Sequence, residues 1–93
     1  MFYVITYDVA DDRLRTRVAR VLEGFGQRVQ YSVFECHLEP GRYRRLRRRL
    51  SAVFEAAAPG DSVRFYRLCA GCERRAHVWG AGAITEDVAY FIA

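Results

Sequence analysis

The period of the apolar residues changes in a fixed order along this chain, and that order restricts the folds it can adopt. Residues 2–9 form a run of β-branched and aromatic side chains, which is typical of a buried strand. Apolar residues then recur at helical spacing over 14–25, alternate over 29–38, and return to helical spacing over 43–57. A further extended run at 62–69 predicts another strand. Strand and helix periods therefore interchange within one chain of domain length.

Residues that start and stop helices stand between these segments. Asp11 and Asp12 precede the first helical pattern and predict an N-cap with acidic side chains in the first turn. Gly24 and Gly26 follow that pattern and predict its end. The chain has neither a linker nor an internal repeat, so we predict a single domain over residues 1–93.

The predicted order is strand, helix, extended segment, helix, strand and a short β tail. If the extended segment is a hairpin, the order becomes βαββαβ, the α+β arrangement called ferredoxin-like. Candidate tail strands lie at 76–79 and 87–92. Two helices on one face of the sheet leave its other face bare, and the apolar side chains there predict a homodimer. A hydrophobic share of 52% supports a packed core and excludes a disordered chain.

The basic residues of the chain are all arginine. Fifteen arginines stand against 11 acidic residues, and there is no lysine. Replacement of lysine by arginine throughout a GC-rich or thermophilic genome is one explanation, and selection for phosphate binding by the guanidinium fork is the other. Six of the eight residues from Arg42 to Arg49 are arginine, and 13–20 holds a second cluster. Such clusters are typical of nucleic-acid binding.

An ordered set of short motifs resembles a known family. The motifs are Tyr7-Asp8-Val9, then Asp11-Asp12 with Arg15, Phe25-Gly26, Arg28-Val29-Gln30, Ser32-Val33-Phe34-Glu35, and Asp61-Ser62-Val63 with Tyr66 and Leu68. With this spacing the chain resembles, from about residue 2 to 68, the small CRISPR-associated nucleases that partner the CRISPR integrase during spacer acquisition. The resemblance implies a ferredoxin-like fold whose extended segment divides near 30–32. It also implies a homodimer in which a tail over about 76–93 packs on the partner protomer, with 76–79 and 90–92 as the pairing strands.

Asp8 is the candidate catalytic and metal-binding residue. It follows an apolar strand, where an acid either caps the next helix or serves a site. The resemblance implies that Asp8 of each protomer holds a Mg²⁺ ion at the dimer interface, with Mn²⁺ as an alternative. A hard cation prefers carboxylate oxygens and retains waters, one of which becomes the nucleophile on a phosphodiester. For Asp11 and Asp12 we favour capping, and for Tyr7 core packing.

The candidate nucleic-acid contacts fall into two groups. The resemblance implies phosphate contacts from basic residues near Asp8, which are Arg15, Arg17 and Arg28. Phe34 is a candidate for stacking on a base, with a core or interface position as the alternative. The second group belongs to the arginine-rich helix, for which a merely solvated face is the alternative, and its candidates are Arg45, Arg48 and Arg49.

The spacing Cys69-x-x-Cys72 leaves several interpretations open. The pair is half of a zinc site, a local disulfide, or two reduced thiols, and a zinc site would have Cys36, His37 and His77 as possible additional ligands. We favour reduced thiols, because one cysteine pair cannot complete a tetrahedral site. A thioredoxin-like redox role is disfavoured because we expect the pair to follow a strand without opening a helix.

Three functions are consistent with these residues. The first is a metal-dependent endonuclease acting on RNA or double-stranded DNA, and the second is a non-catalytic DNA-binding adaptor that bridges integrase dimers. The third, a generic ferredoxin-like binding module, is disfavoured by the ordered motifs. No apolar run approaches the roughly 20 residues of a membrane helix. The first residues lack the basic head and cleavage site of a secretion signal, so we expect a cytoplasmic protein without membrane contact.

Overall fold

The computed structural model describes residues 1–87 of the chain. Four strands and three helices alternate in the predicted order, with one addition, a short helix after the last strand. The elements are β1 (Phe2–Asp8), α1 (Asp12–Glu23), β2 (Gln27–Gln30), β3 (Val33–His37), α2 (Pro40–Phe54), β4 (Ser62–Leu68) and α3 (Ala70–Arg74).

The four strands form one antiparallel sheet in the order β2-β3-β1-β4. This order, with α1 and α2 as crossover helices, confirms the ferredoxin-like prediction. The extended segment is divided, as expected, by a turn at Tyr31 and Ser32. Ser32 adopts a left-handed conformation with φ of 62°, which lets the chain reverse between β2 and β3. The Tyr7 backbone N–H donates to the Ser32 carbonyl at 3.1 Å, so the turn lies beside the end of β1.

The predicted helix signals operate as expected. The Asp11 carboxylate accepts a hydrogen bond from the Leu14 backbone N–H at 2.8 Å and caps α1. Gly24 ends α1, and its N–H donates to the Val21 carbonyl at 3.1 Å. Gly26 then brings the chain so close to β3 that an added Cβ would lie 2.3 Å from Cys36 Sγ. The Phe25-Gly26 motif is therefore a packing requirement.

The core lies between the sheet and the two long helices. Alternate side chains of β1, including Ile5 and Tyr7, are buried against apolar residues of α1 and α2, such as Leu22 and Leu46. The alternation that buries Tyr7 turns Asp8 to the opposite face of the sheet, which carries neither long helix. This confirms core packing for Tyr7.

The chain beyond β4 differs from the sequence prediction. Residues 76–79, predicted as a strand, lie in irregular backbone in the single chain and join no strand among residues 1–87. Their pairing with a partner protomer stays a prediction. The tail is instead attached to β3 through Thr85. Its backbone N–H donates to Glu35 Oε1 at 2.9 Å, and its carbonyl lies 2.7 Å from His37 Nε2. The predicted strands at 87–92 and 90–92 extend beyond the described residues.

None of the helices within residues 1–87 is both long enough and apolar enough to cross a membrane.

Candidate functional site

Asp8 lies at the carboxyl end of β1 with its side chain exposed on the sheet face that lacks the long helices. Across the ladder it pairs with Ser62 of β4, and the next pair along the same face contains Arg64. The Tyr66 hydroxyl, which accepts a hydrogen bond from Arg64 at 3.4 Å, raises the pKa of Arg64, and the Asp8 charge adds a smaller contribution. Within residues 1–87, no hydrogen bond or ion pair occupies the Asp8 carboxylate.

The acids near Asp8 in sequence are already engaged. Asp11 caps α1 and Asp12 forms an ion pair with Arg15. Asp61 accepts hydrogen bonds from the backbone N–H groups of Ala10, at 3.1 Å, and Ala58, at 2.9 Å. These bonds fix the loop that follows β1. Asp8 is thus the carboxylate of this cluster that remains available to a ligand.

One chain does not supply a complete metal site. Among residues 1–87, no group of three or more histidine, cysteine, aspartate or glutamate side chains is arranged to hold a metal ion. A lone exposed carboxylate fits the oxygen preference of Mg²⁺ but provides few ligands. The donor chemistry at Asp8 therefore fits a hard cation only if further oxygen ligands come from outside this chain.

Arg15 and Arg28, two of the predicted phosphate contacts, lie on one cleft beside the end of β1. The cleft has a volume of about 330 Å³, and Tyr7 and Tyr31 also line it. Arg15 donates to the Val9 carbonyl at 2.9 Å, and its guanidinium lies 5.9 Å from the Tyr31 ring centroid. Burial raises the pKa of Tyr7, and the Arg28 charge opposes that shift.

The third predicted contact of this group lies elsewhere. Arg17 is exposed on α1 but does not line the cleft, whereas Arg20 and Glu23 do. Arg28 approaches Glu23 with an N–O separation of 3.8 Å, which leaves the cleft with an excess of positive charge. The structure therefore groups Arg15, Arg20 and Arg28, and separates Arg17 from them.

Phe34 corrects a sequence prediction. Its ring is 0% exposed within the core, so the predicted stacking of Phe34 on a base is wrong for this structure. The guanidinium of Arg28 lies 5.4 Å from the Phe34 ring centroid, so the ring supports a basic residue of the cleft. The exposed aromatic residue near the cleft is Tyr31, which the sequence prediction missed. Its position in the expected turn at 30–32 was the available signal.

The arginines of α2 form a separate exposed surface. Arg45, Arg48 and Arg49 are all exposed, as predicted for a solvent-facing or nucleic-acid-facing helix. A shallow groove of about 360 Å³ is lined by Ser51 and three arginines, which are Arg44, Arg47 and Arg48. Arg49 instead packs its guanidinium 5.7 Å from the Phe25 ring centroid. No arginine of α2 forms an ion pair within residues 1–87, so the charge of this surface is not neutralised there.

The Cys69-x-x-Cys72 pair opens a helix, contrary to the sequence prediction. Cys69 is the N-cap of α3, and its Sγ accepts a hydrogen bond from the Cys72 backbone N–H at 3.4 Å. That bond lowers the pKa of Cys69, whereas the neighbouring Cys69 sulfur raises the pKa of Cys72. Both thiols are free and exposed. Cys36 is buried in the core and joins no metal-binding group among the described residues, which removes it from the predicted zinc additions.

Comparisons with known proteins agree with the fold and with the family resemblance. The family described as CRISPR associated protein Cas2 has a sequence model that matches residues 1–76. The chain is similar to the CRISPR-associated endoribonuclease Cas2 1 of Chloroflexus aurantiacus, with 48% identity over 86 residues, which cover 92% of this chain and 91% of the relative. It is also similar to the crystal structure of Streptococcus pyogenes Cas2, with a TM-score of 0.70 and 35% identity over 86% of this chain and 100% of that one. A chain of a structure described as a partial Cas6-RT-Cas1–Cas2 complex matches with a TM-score of 0.72 and 32% identity, covering 83% of this chain and 88% of that one.

Proposed function

This chain belongs to the Cas2 family of CRISPR-associated proteins, and on that premise we propose that it is a homodimeric, metal-dependent endonuclease that acts in spacer acquisition with the CRISPR integrase in the cytoplasm. Its substrate is RNA or double-stranded DNA. The relative from Chloroflexus aurantiacus, named an endoribonuclease, supports the nuclease reaction. The similar chain in the Cas1–Cas2 complex supports the integrase as a partner.

The observation that carries the proposal is the exposed Asp8 carboxylate at the end of β1. The other carboxylates of its loop are occupied by backbone or arginine partners, whereas no hydrogen bond or ion pair within residues 1–87 occupies Asp8. A carboxylate without partners gains little for folding, and its exposed position at the carboxyl end of β1 suits binding of a hard cation. Asp8 is therefore the catalytic residue of the proposal.

A dimer completes the site that one chain leaves incomplete. The sheet face around Asp8 carries the partly exposed Tyr66, and the tail exposes Trp79 to 95%. Large exposed aromatic side chains are typical of protein interfaces. In the dimer, this sheet face lies against its symmetry mate, and the residues from about 76 onward pack on the partner protomer. Asp8 of the partner subunit then provides the second carboxylate.

Mg²⁺, or Mn²⁺ in its place, would be held by the two Asp8 carboxylates. When bound, the ion supplies an activated water and stabilises the charge that develops on the scissile phosphate. Arg15 and Arg28 bind the neighbouring phosphates, and the Val9 carbonyl orients Arg15 through its hydrogen bond. Arg17 lies on the adjoining exposed surface of α1, where it adds to the positive potential that attracts the strand.

The test is cleavage of labelled single-stranded RNA and duplex DNA by the full chain and by its Asp8→Asn variant, with Mg²⁺ and with a chelator. We expect cleavage that requires the metal and falls at least about 100-fold in the variant. Asp12→Asn is the matched control, because Asp12 pairs with Arg15 and is not a proposed ligand. Undiminished cleavage by the Asp8→Asn dimer would overturn the catalytic role.

The α2 surface favours a second function, a DNA-binding adaptor that bridges integrase dimers. Arg44, Arg47 and Arg48 line a groove without an acidic partner in the described chain, and such a surface fits a duplex backbone. Spacer integration by the purified integrase together with the Asp8→Asn variant separates the two functions. Full integration without cleavage favours the adaptor, and loss of both favours the nuclease.

A further inference from the structure

Tyr31 is an aromatic residue that the fold holds in an exposed position. It occupies the turn between β2 and β3 with 73% of its surface accessible. The Ser32 backbone that follows it is tied to the end of β1 by the hydrogen bond from the Tyr7 N–H at 3.1 Å. The turn cannot move away from β1 without breaking that bond. Tyr31 therefore stands at a fixed place on the rim of the basic cleft, in the turn that is bonded to the end of β1.

One arginine side chain lies over the Tyr31 ring and two more line the same cleft, while most of the Tyr31 surface stays accessible. The Arg15 guanidinium lies over the ring with its central carbon 5.9 Å from the centroid, and the backbone of residue 9 holds that guanidinium through a 2.9 Å hydrogen bond. Arg28 is steadied by the Phe34 ring beneath it. Arg20 also lines the cleft, where Glu23 is the acidic residue. The cleft thus pairs an open aromatic face with three guanidinium groups.

We infer that Tyr31 is a stacking platform for an unpaired base of a single-stranded nucleic acid whose phosphates lie along the arginines of this cleft. The inference rests on the proposed nuclease function and specifies the form of strand that the site accepts. A base offers a π-face to an aromatic ring whatever its identity, so the platform selects single-stranded character without reading sequence. The cation on the opposite face of Tyr31 strengthens the ring as a platform.

The charge of the cleft identifies the occupant. Three arginines outnumber the two acids near them, Glu23 and the Asp12 that pairs with Arg15, so the cleft keeps a positive charge that attracts a polyanion. The bidentate guanidinium fork matches phosphate oxygens. A base-paired duplex has its bases stacked on one another, so its interior bases cannot reach the ring. A duplex would contact the arginines through its phosphates and would make no stacking contact with Tyr31. An unpaired strand uses both features of the cleft.

The experiment measures binding of fluorescently labelled single-stranded RNA and a duplex of the same length to the full chain and to two variants, Tyr31→Ala and Tyr31→Phe. A Mg²⁺-free buffer separates binding from cleavage. We expect Tyr31→Ala to weaken single-strand binding about 10-fold and to leave duplex binding within about twofold. Tyr31→Phe retains the ring and is expected to bind as the unmodified chain does. Thermal unfolding of both variants checks that the turn is intact.

A second measurement uses single-stranded RNA with one abasic position moved along the strand. At one position the abasic site is expected to weaken binding to the unmodified chain about 10-fold. The same abasic strand should bind Tyr31→Ala no more weakly than the intact strand does, because the missing base and the missing ring belong to one contact. Single-strand binding by Tyr31→Ala equal to that of the unmodified chain overturns the stacking role and leaves the nuclease proposal standing. Absence of any nucleic-acid binding by the unmodified chain overturns both.

Discussion

The sequence predicts the environments of some residues of the candidate site correctly and those of others only in part. The position of Asp8 follows from an acid placed directly after an apolar strand, and the cap at Asp11 follows from its place before a helical pattern. For Phe34 the sequence left both a base contact and a core position open, because the two alternating sets of the 29–38 segment each contain apolar residues and periodicity does not reveal which set faces the core. The packing of β3 against α1 and α2 decides it. Tyr31, in the opposite set, is exposed by the turn.

The cysteines give a residue-scale prediction. Backbone hydrogen bonds at the start of α3 lower the pKa of Cys69, whereas burial raises the pKa of Cys36 to about 11. At pH 7 to 8 the thiolate fraction of Cys69 therefore exceeds that of Cys72 and, by more, that of Cys36. Alkylation by iodoacetamide, followed by peptide mass mapping, is expected to label the residues in the order Cys69, Cys72, Cys36.

Cys72→Ser is the matched control for this order. The hydrogen bond that lowers the Cys69 pKa most comes from the backbone N–H of residue 72, which the substitution retains. Rapid labelling of Cys69 should therefore persist in the variant. Labelling of Cys36 as fast as Cys69 in the folded chain would contradict the assigned environments.

At the scale of elements, the order of strands and helices was predictable and the tail was not. The changes of apolar period fix the elements from β1 to β4, because each has a buried face within the same chain. Residues 76–79 carry a strand-like pattern, but a strand requires a neighbouring ladder that residues 1–87 do not provide there. A strand that forms only by pairing with a second chain cannot be distinguished, in one sequence, from an irregular tail.

The passage from α1 to β2 gives a prediction about stability. A Cβ at Gly26 would lie 2.3 Å from Cys36 Sγ and 2.5 Å from the Glu35 carbonyl oxygen, and the backbone atom cannot retreat without disturbing β3. Gly26→Ala is expected to lower the free energy of unfolding by about 1–3 kcal/mol in urea titration. At Gly24 the nearest atom to an added Cβ is the Val21 carbonyl oxygen at 3.4 Å, so Gly24→Ala should be tolerated. Equal effects of the two substitutions would refute this packing argument.

The α2 surface gives a prediction about salt dependence. Each guanidinium that replaces a counterion on duplex DNA contributes about 0.9 to the slope of log affinity against log salt. The double variant Arg47→Gln/Arg48→Gln is therefore expected to reduce that slope by about 2. Arg74→Gln/Arg75→Gln removes the same charge from the exposed region around the end of α3 and serves as the control. Equal slopes for the two double variants would leave α2 as a solvated surface.

At the scale of the whole molecule, the proposed metal site requires a second copy of the chain. The fold presents one available carboxylate at the end of β1, a basic cleft on the α1 side of the sheet, and exposed aromatic residues on the opposite sheet face and the tail. None of these features needs the others for folding, but together they suit a symmetric pair. The resemblance in the motifs predicted this arrangement, and physical reasoning from one chain explains why a monomer is insufficient: a single carboxylate is too few ligands for a tightly held hard cation.

Metal stoichiometry tests the central claim most directly. Mn²⁺ is titrated into the full chain at known protein concentration, and its binding is monitored by calorimetry and by electron paramagnetic resonance. The titration counts ions per chain without relying on cleavage. If Asp8 of each protomer shares one ion, binding should saturate at one Mn²⁺ for every two chains and should be lost in the dimeric Asp8→Asn variant. Saturation at one ion per chain, or unchanged binding by Asp8→Asn, would contradict the shared site.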